Sequence, residues 1–372
     1  MTNREIAQKL GISPAALSLI INHKPGVSDS TRDRVLTELQ EMGCDNLIKK
    51  APAVPSNNLC FIIYKRHGEV LDLHPFFLLL MESIETRARS YGYNILLCNL
   101  DKRKSMEPQL AHLEELDCQG AIVFATEMED EDMELLQELP IPMVALDNDF
   151  SRLSCNSVSI NNQMGTFQAV EYLVRMGHRQ IGYLKSLIRI NSFKERQIGY
   201  EDALSHFGLS FSDGHILNVH YSEEESYRDI RQFFESHPSY DIPDAFVCDD
   251  DTMASGALRA FSEHGYKVPG DISIIGFNDR PNCEVTTPPL TSINVSKQGL
   301  AGESVDELMR MIQNPDKSTQ ESRSRKIRIG TKLTVRESVS PPSKKCIISK
   351  RSLQFDTAGL YPSPYTAASS LQ

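Results

Sequence analysis

Side chains able to do chemistry are plentiful in this chain of 372 residues, but few fall in spacings that chemistry needs. Eight cysteines, at positions 44, 60, 98, 118, 155, 248, 283 and 346, show neither C-x-x-C nor paired Cys/His spacing, which argues for mostly buried thiols and against a zinc site or a disulfide framework. Asp249, Asp250 and Asp251 put three carboxylates in a row, a set that a hard cation can use, yet no second ligand cluster accompanies them. His178, in a Gly-His-Arg turn between a helix and a strand, reads as a structural cap and not as a general base. No Ser/His/Asp set, paired carboxylates or Gly-rich phosphate loop stands out, so neither catalysis nor a metal nor a cofactor is expected.

The first 43 residues carry the clearest spacing. Thr2 caps a helix whose Glu5 closes a capping box, Ile6, Ala7 and Leu10 form its apolar stripe, and Gly11 stops it. Ser13 followed by Pro14 starts a second helix, with Leu17, Ile20 and Ile21 at helical spacing. Ser28 opens a third, with Val35, Leu39 and Met42 on one face and Gly43 as terminator. A helix, a tight glycine turn and a helix are the spacing of a helix-turn-helix, whose second helix enters the major groove of DNA. The same pattern also fits an ordinary three-helix cap.

Composition bounds these readings. Net charge is -11, and 40% of residues are apolar, enough for a large core in two or three domains. Residues 1–55 hold seven Lys/Arg against six Asp/Glu, a near-neutral head on an acidic body, which fits contact with nucleic acid at the head alone. The opening residues hold no signal-peptide run, and no later run is long enough for a membrane span, so a cytoplasmic protein without membrane contact is expected. Residues 45–58 change character, since Pro52 and Pro55 forbid a regular helix, and read as a linker.

From Leu59 short apolar runs alternate with helical patterns: LCFIIY, a helix from about 76 to 91, NILLCN, a helix, GAIVF, a helix, PMVAL. The pattern restarts after Ser157 with VSI, a helix from about 163 to 176, IGYL, a helix from 192 to 207, HILNV, a helix, AFVC, a helix and ISIIG. Repeated strand-helix units imply an α/β fold with two parallel-sheet lobes, joined by crossovers near residues 158, 290 and 322, with a ligand at the carboxyl ends of the strands.

Residues 6–36, IAQKLGISPAALSLIINHKPGVSDSTRDRVL, resemble the head of the LacI/GalR repressor family, with Ile6, Ala7, Gly11, Ser13, Ser18, Asn22, Val27, Ser28, Thr31, Arg32 and Val35 on family-typical positions. The resemblance continues through INNQMG (160–165), LVRMGHRQIGYL (173–184), ERQIGY (195–200), DDTMASGALRA (250–260), VPGDISIIGFND (268–279), PPLTSI (288–293) and VRES (335–338), and so covers residues 2–338. It implies a helix-turn-helix head (1–44), an atypical hinge (45–58), and a two-lobed, periplasmic-binding-protein-like sensor and dimerisation domain (59–338). A tail rich in Ser, Pro and Thr (339–372) follows and reads as disordered.

The resemblance also assigns candidate residues. Base-reading positions of the recognition helix fall on Pro14, Ala15 and Leu19, none of which makes a bidentate bond to a base; Ala15 and Leu19 can pack on thymine methyls, and Ser13, Ser18 and Asn22 supply polar reach. Lys9, Asn22, His23, Lys24 and Arg32 are candidate phosphate contacts, or solvated surface charges. The family's hinge helix is expected to be absent or truncated, leaving Lys49 and Lys50 along the backbone and Leu47 or Ile48 near the groove, or a plain tether. Arg196 matches the arginine that grips ligand oxygens in the family. Asp250 stands where the family usually has Asn and Asn278 where it usually has Asp, an exchange that keeps one carboxylate and one amide facing the cleft between the lobes. Asp249 and Asp251 read as a strand-end acidic loop, and Phe76 and Phe77 match a cleft-lining position but fit a core equally well. The function implied is a homodimeric, or larger, repressor on double-stranded operator DNA, controlled by a small-molecule effector, a sugar or related metabolite. The alternatives are a solute-binding protein of a sugar transport system, which shares the two-lobed fold, and an enzyme on the same layers.

Overall fold

The computed structural model describes residues 3–22, 24, 26–44, 47, 57–71, 76–314 and 323–343, without the side chains of Arg4, Asp29 and residues 76–79. Thr2, His23, Lys49, Lys50, Pro52, Pro55, Ile48 and the tail from 344 therefore lie outside the described residues, as do the side chains of Phe76 and Phe77.

In the head, α1 (Asn3–Lys9), α2 (Pro14–Ile21) and α3 (Asp29–Glu41) form where capping and apolar spacing place them. Ser13 Oγ accepts from Ala16 N at 3.0 Å, with Pro14 at the first helical position where its missing N–H costs nothing. Gly11, at φ +63°, makes the turn between α1 and α2, a conformation a side chain resists. Ile6, Ala7, Leu10, Leu17, Ile20, Ile21, Val35 and Leu39 are buried together. Each larger side chain among them contributes roughly 1.5–3 kcal/mol. Leu47, a candidate groove contact by resemblance, packs against this core instead.

The chain divides into two compact units: residues 1–161, 190–194 and 296–330, and residues 162–189, 195–295 and 331 onward. Beyond the head it runs β1 (Asn58–Lys65), α4 (Phe76–Ser90), β2 (Asn94–Asp101), α5 (Glu107–Glu115), β3 (Ala121–Phe124), α6 (Asp130–Leu136), β4 (Met143–Leu146) and β5 (Asn156–Ile160). There follow α7 (Asn162–Met176), β6 (Ile181–Ser186), α8 (Asn191–His206), β7 (Ile216–Val219), α9 (Glu223–Ser236), β8 (Ala245–Cys248), α10 (Asp251–Glu263), β9 (Ser273–Asn278) and β10 (Thr291–Val295). Finally come α11 (Lys297–Gln313), β11 (Lys326–Ile329) and β12 (Thr331–Thr334).

The first unit's sheet has the order β11-β5-β4-β3-β1-β2, all parallel, and the second has β12-β10-β9-β8-β6-β7. The first apolar runs become strands because both faces are covered: β1, β3 and β4 are buried almost end to end, as a parallel sheet between helices demands. One departure from two parallel sheets is β12, which pairs antiparallel to β10 with Ser292 opposite Thr334. Mixed pairing of this kind at an edge is common. β10, α11, β11 and β12 follow the strand-helix units read from the sequence; α11 carries a Ser296 cap and an apolar stripe through Leu300, Val305 and Leu308, whereas KIRI and TKLT are short, charged edge strands. In both sheets strand order reverses beside the first strand, at β1/β3 and at β6/β8, which makes the carboxyl ends there the natural ligand positions of a doubly wound fold.

Past residue 338 the described chain continues to Ser343 on the second unit. His178 Nε2 lies 2.9 Å from Ser340 O, Ser340 Oγ donates to Pro269 O at 2.9 Å, and Pro342 lies against Gly177. The boundary read at 338 therefore moves outward by these residues. His178, buried between Asp244 Oδ1 (3.0 Å) and Ser340 O, takes the structural role read from its turn. No described helix is long and apolar enough to cross a membrane.

Candidate functional site

On α2, Leu17, Ile20 and Ile21 face the head's core, which leaves Pro14, Ala15 and Ser18 exposed and Leu19 and Asn22 half-buried along the other side. The candidate base-reading residues thus share one helical face. That face carries no charge. Asn22 Nδ2 donates to Ser18 O at 2.7 Å, so its amide is engaged locally and closes the helix. Lys9 ends α1, and both it and Lys24 are exposed. Arg32 differs: its Nη2 donates to Lys24 O at 2.6 Å, which ties α3 to the turn after α2.

In the second unit the strand ends bring Arg196, Asp250 and Asn278 together. Asp250 caps α10, its Oδ1 accepting from Thr252 N at 2.7 Å, while Oδ2 accepts from Asn278 Nδ2 at 2.6 Å and from Arg280 Nη2 at 2.9 Å. Arg280 Nη2 also reaches Tyr221 OH at 2.7 Å. Arg196 rises from α8, only 3% exposed, with its guanidinium 3.8 Å from the centroid of the Phe277 ring. It donates from Nε to Asn162 Oδ1 at 2.9 Å, from Nη1 to Asp249 O, and from Nη2 to Asn278 Oδ1 at 3.4 Å. Asn278 and Asp279 both have positive φ, +101° and +50°. Two consecutive non-glycine residues in that region cost about 1–3 kcal/mol each, a strain typical of binding sites.

The acidic run resolves into three roles. Asp249 is fully buried and accepts from Ser186 N at 2.8 Å, from Arg189 Nη1 at 2.6 Å and from Tyr183 OH. Burial pushes its carboxyl above the usual range. Asp251, also buried, is pushed up to about 7 by burial and by the neighbouring Asp250 charge. It accepts from Ser292 Oγ at 2.5 Å and from Arg280 N at 2.9 Å, and a Cβ on Gly276 would stand 2.1 Å from its Oδ1, so that position admits only glycine. Asp249 and Asp251 are structural, as the acidic-loop reading has it, but through buried bonds. Among the described residues no group of three or more potential ligands could hold a metal ion.

Asn162, Tyr221 and Arg280 belong to this network and are absent from the sequence-derived candidates. Asn162 and Arg280 lie inside or directly after INNQMG and GFND; nothing around Tyr221 marks it. Another residue that sequence reasoning misses is Glu127, after β3 in the first unit. Its Oε2 accepts from the N–H groups of Arg66 (3.0 Å), His67 (3.1 Å) and Gly68 (2.8 Å), and its Oε1 from Val70 (3.0 Å) and Leu71 (3.1 Å). One carboxylate therefore holds residues 66–71, directly after β1. Phe76 and Phe77 open α4 in this unit.

Residues 170–339 match the family described as periplasmic binding protein-like domain. The transcriptional repressor PurR of Haemophilus influenzae (strain PittEE) is 26% identical over 342 residues, covering 91% of this chain and 98% of that protein. PurR of Proteus mirabilis is 28% identical over 327 residues, covering 86% and 92%. Among solved structures, a transcriptional regulator CelR–cellobiose complex superposes with a TM-score of 0.67 at 22% identity over 91% of this chain and 99% of that one. The lac repressor dimer bound to operator and the anti-inducer ONPF gives 0.63 at 23% over the same shares. A regulator from Enterococcus faecium with bound ribose gives 0.62 at 23%, over 76% and 100%.

Proposed function

We propose that the chain is a DNA-binding transcription regulator of the LacI/GalR family and not an enzyme, a repressor whose effector is a sugar or related polyhydroxy metabolite. The observation that carries the reading is the buried Arg196–Asn278–Asp250–Arg280 network at the strand ends of the second unit, an alternation of donors and acceptors suited to hydroxyl groups. The relatives solved with cellobiose and with ribose support a sugar. Since every member already has a partner within the protein, a ligand exchanges bonds and does not merely add them. Affinity then follows from how well its hydroxyls replace Asn278 and Arg280 around Asp250.

At the head, Pro14, Ala15, Ser18 and Leu19 form the groove-facing surface, with Lys9 and Lys24 on phosphates. Direct readout is limited to thymine methyls and hydroxyl contacts, so one head binds weakly, and the protein acts as a homodimer on a near-palindromic operator. A thermal-shift screen of sugars, nucleobases and amino acids, with operator titration of each hit, tests the reading. A sugar that raises the melting temperature and changes operator affinity supports it. Stabilisation by nucleobases or amino acids alone overturns the effector class, and a tight monomeric complex on an asymmetric site overturns the dimer.

A further inference from the structure

Three of the scattered cysteines meet in the first unit. Cys60 on β1 is fully buried, Cys98 on β2 is half-buried, and Cys118, in the segment before β3, packs against the same apolar cluster. The register pairs Cys60 with Leu96 and Ile62 with Cys98, so the first two are one diagonal step apart on the same face of adjacent parallel strands. Their sulfurs are 3.1 Å apart. Cys98 also lines a pocket of about 420 Å³ with Asn99, Gln109 and His112, which gives a small solute a route to one sulfur of the pair and not to the other.

We propose that Cys98 and Cys60 form a peroxide-reactive thiol pair, Cys98 as the attacking sulfur and Cys60 as the resolving one. The Cys60 thiol donates toward Cys98, which lowers the Cys98 pKa and raises that of Cys60, so Cys98 is the member of the pair that ionises more readily. In the first step the Cys98 thiolate attacks a peroxide oxygen. An S–O bond forms, the O–O bond breaks, and hydroxide leaves and takes up a proton, so sulfur loses two electrons and peroxide gains them. In the second step the Cys60 sulfur attacks the Cys98 sulfenic acid. The S–S bond forms, the S–OH bond breaks, and hydroxide departs with the Cys60 thiol proton as water. β2 is the outer strand of its sheet and pairs only with β1, so closing the gap to a bond of about 2.05 Å moves an edge and not the sheet's interior.

The test treats the full chain with graded hydrogen peroxide, quenches with an alkylating reagent, and maps peptides without reduction. A linked peptide joining Cys60 to Cys98 should appear, reversed by dithiothreitol, while Cys155, Cys248 and Cys283 remain alkylatable after unfolding. Cys98 should react on the order of tenfold faster than Cys44, because the bond donated by the Cys60 thiol favours the Cys98 thiolate. In Cys60→Ser the dimedone adduct of Cys98 should accumulate, and in Cys98→Ser no bridge should form. Cys98 oxidising no faster than Cys44, a bridge from Cys60 to Cys118, or a bridge between two chains would each overturn the proposal. The wild-type mapping decides these outcomes even if the buried Cys60→Ser variant does not fold.

Discussion

Both units place a buried carboxylate where strand order reverses, and they use it differently. In the first, Glu127 follows β3 and is taken up by five backbone N–H groups of the loop after β1. In the second, Asp249 follows β8 and takes one backbone N–H, from Ser186 at the end of β6, with Arg189 and Tyr183 as side-chain partners, while its neighbour Asp250 is held by Thr252 N and by the Asn278 and Arg280 side chains. Backbone donors cannot turn away without unfolding the loop. Side-chain donors can rotate and accept a ligand in exchange. A carboxylate after a central strand thus holds backbone N–H groups in one unit and joins a side-chain network in the other.

Removing each carboxylate's partners is the direct way to break this contrast. Glu127→Ala leaves five amides to find water or nothing, and should cost about 3–5 kcal/mol, the range for breaking a buried charged arrangement by removing one partner. Urea unfolding reads this; a loss below about 1 kcal/mol, the worth of one ordinary bond, would mean that the loop holds itself. Next in size, Arg196→Ala removes a guanidinium worth roughly 1.5–3 kcal/mol in charge-assisted bonds, about tenfold to a hundredfold in effector affinity. Calorimetry with the effector found in the screen measures it, and unliganded operator affinity should be unchanged. Unaltered effector affinity would make Arg196 structural, on a par with Glu127, and would dissolve the contrast.

Two smaller effects sharpen it. Asp251 has its pKa pushed up to about 7 from an ordinary 3.8, so the folded state holds that proton more tightly than the unfolded chain. The associated stability is fully present below the unfolded value and is lost as pH rises through about 7. Asp251→Asn should therefore flatten the decline in unfolding free energy between those limits; an unchanged pH profile would place the proton elsewhere in the acidic run. Smallest of all, deleting residues 344–372 should leave the melting temperature unchanged, since their composition offers little apolar surface. Deletion from 340 instead removes the partner of His178 and should lower stability by about 1–3 kcal/mol. Equal melting points for the two truncations would show that the Ser340 contacts contribute nothing.

Much of the architecture is readable in the chain itself, for a physical reason: periodicity and capping act locally. The apolar runs at LCFIIY, GAIVF and AFVC are strands because only a twice-covered strand tolerates such continuity, and Ser13–Pro14 and Ser28 start helices because their side chains and ring geometry satisfy or omit the first N–H groups. The edge strands β11 and β12 escape such reading, since a strand half open to water needs no apolar pattern. Arg196, Asp250 and Asn278, which the resemblance assigns to one ligand site, share one hydrogen-bond network, yet their partners are separated from them by up to scores of residues. Asp250 meets Arg280 and Tyr221 only because β7, β6, β8 and β9 end side by side, and Cys60 meets Cys98 only because β1 and β2 pair in one register. Sequence alone therefore determined the elements and their order, through interactions within a few residues. Which carboxylate met backbone donors, which met side-chain donors, and which thiols came within reach was decided by strand order and register, because those are set by packing between segments distant along the chain.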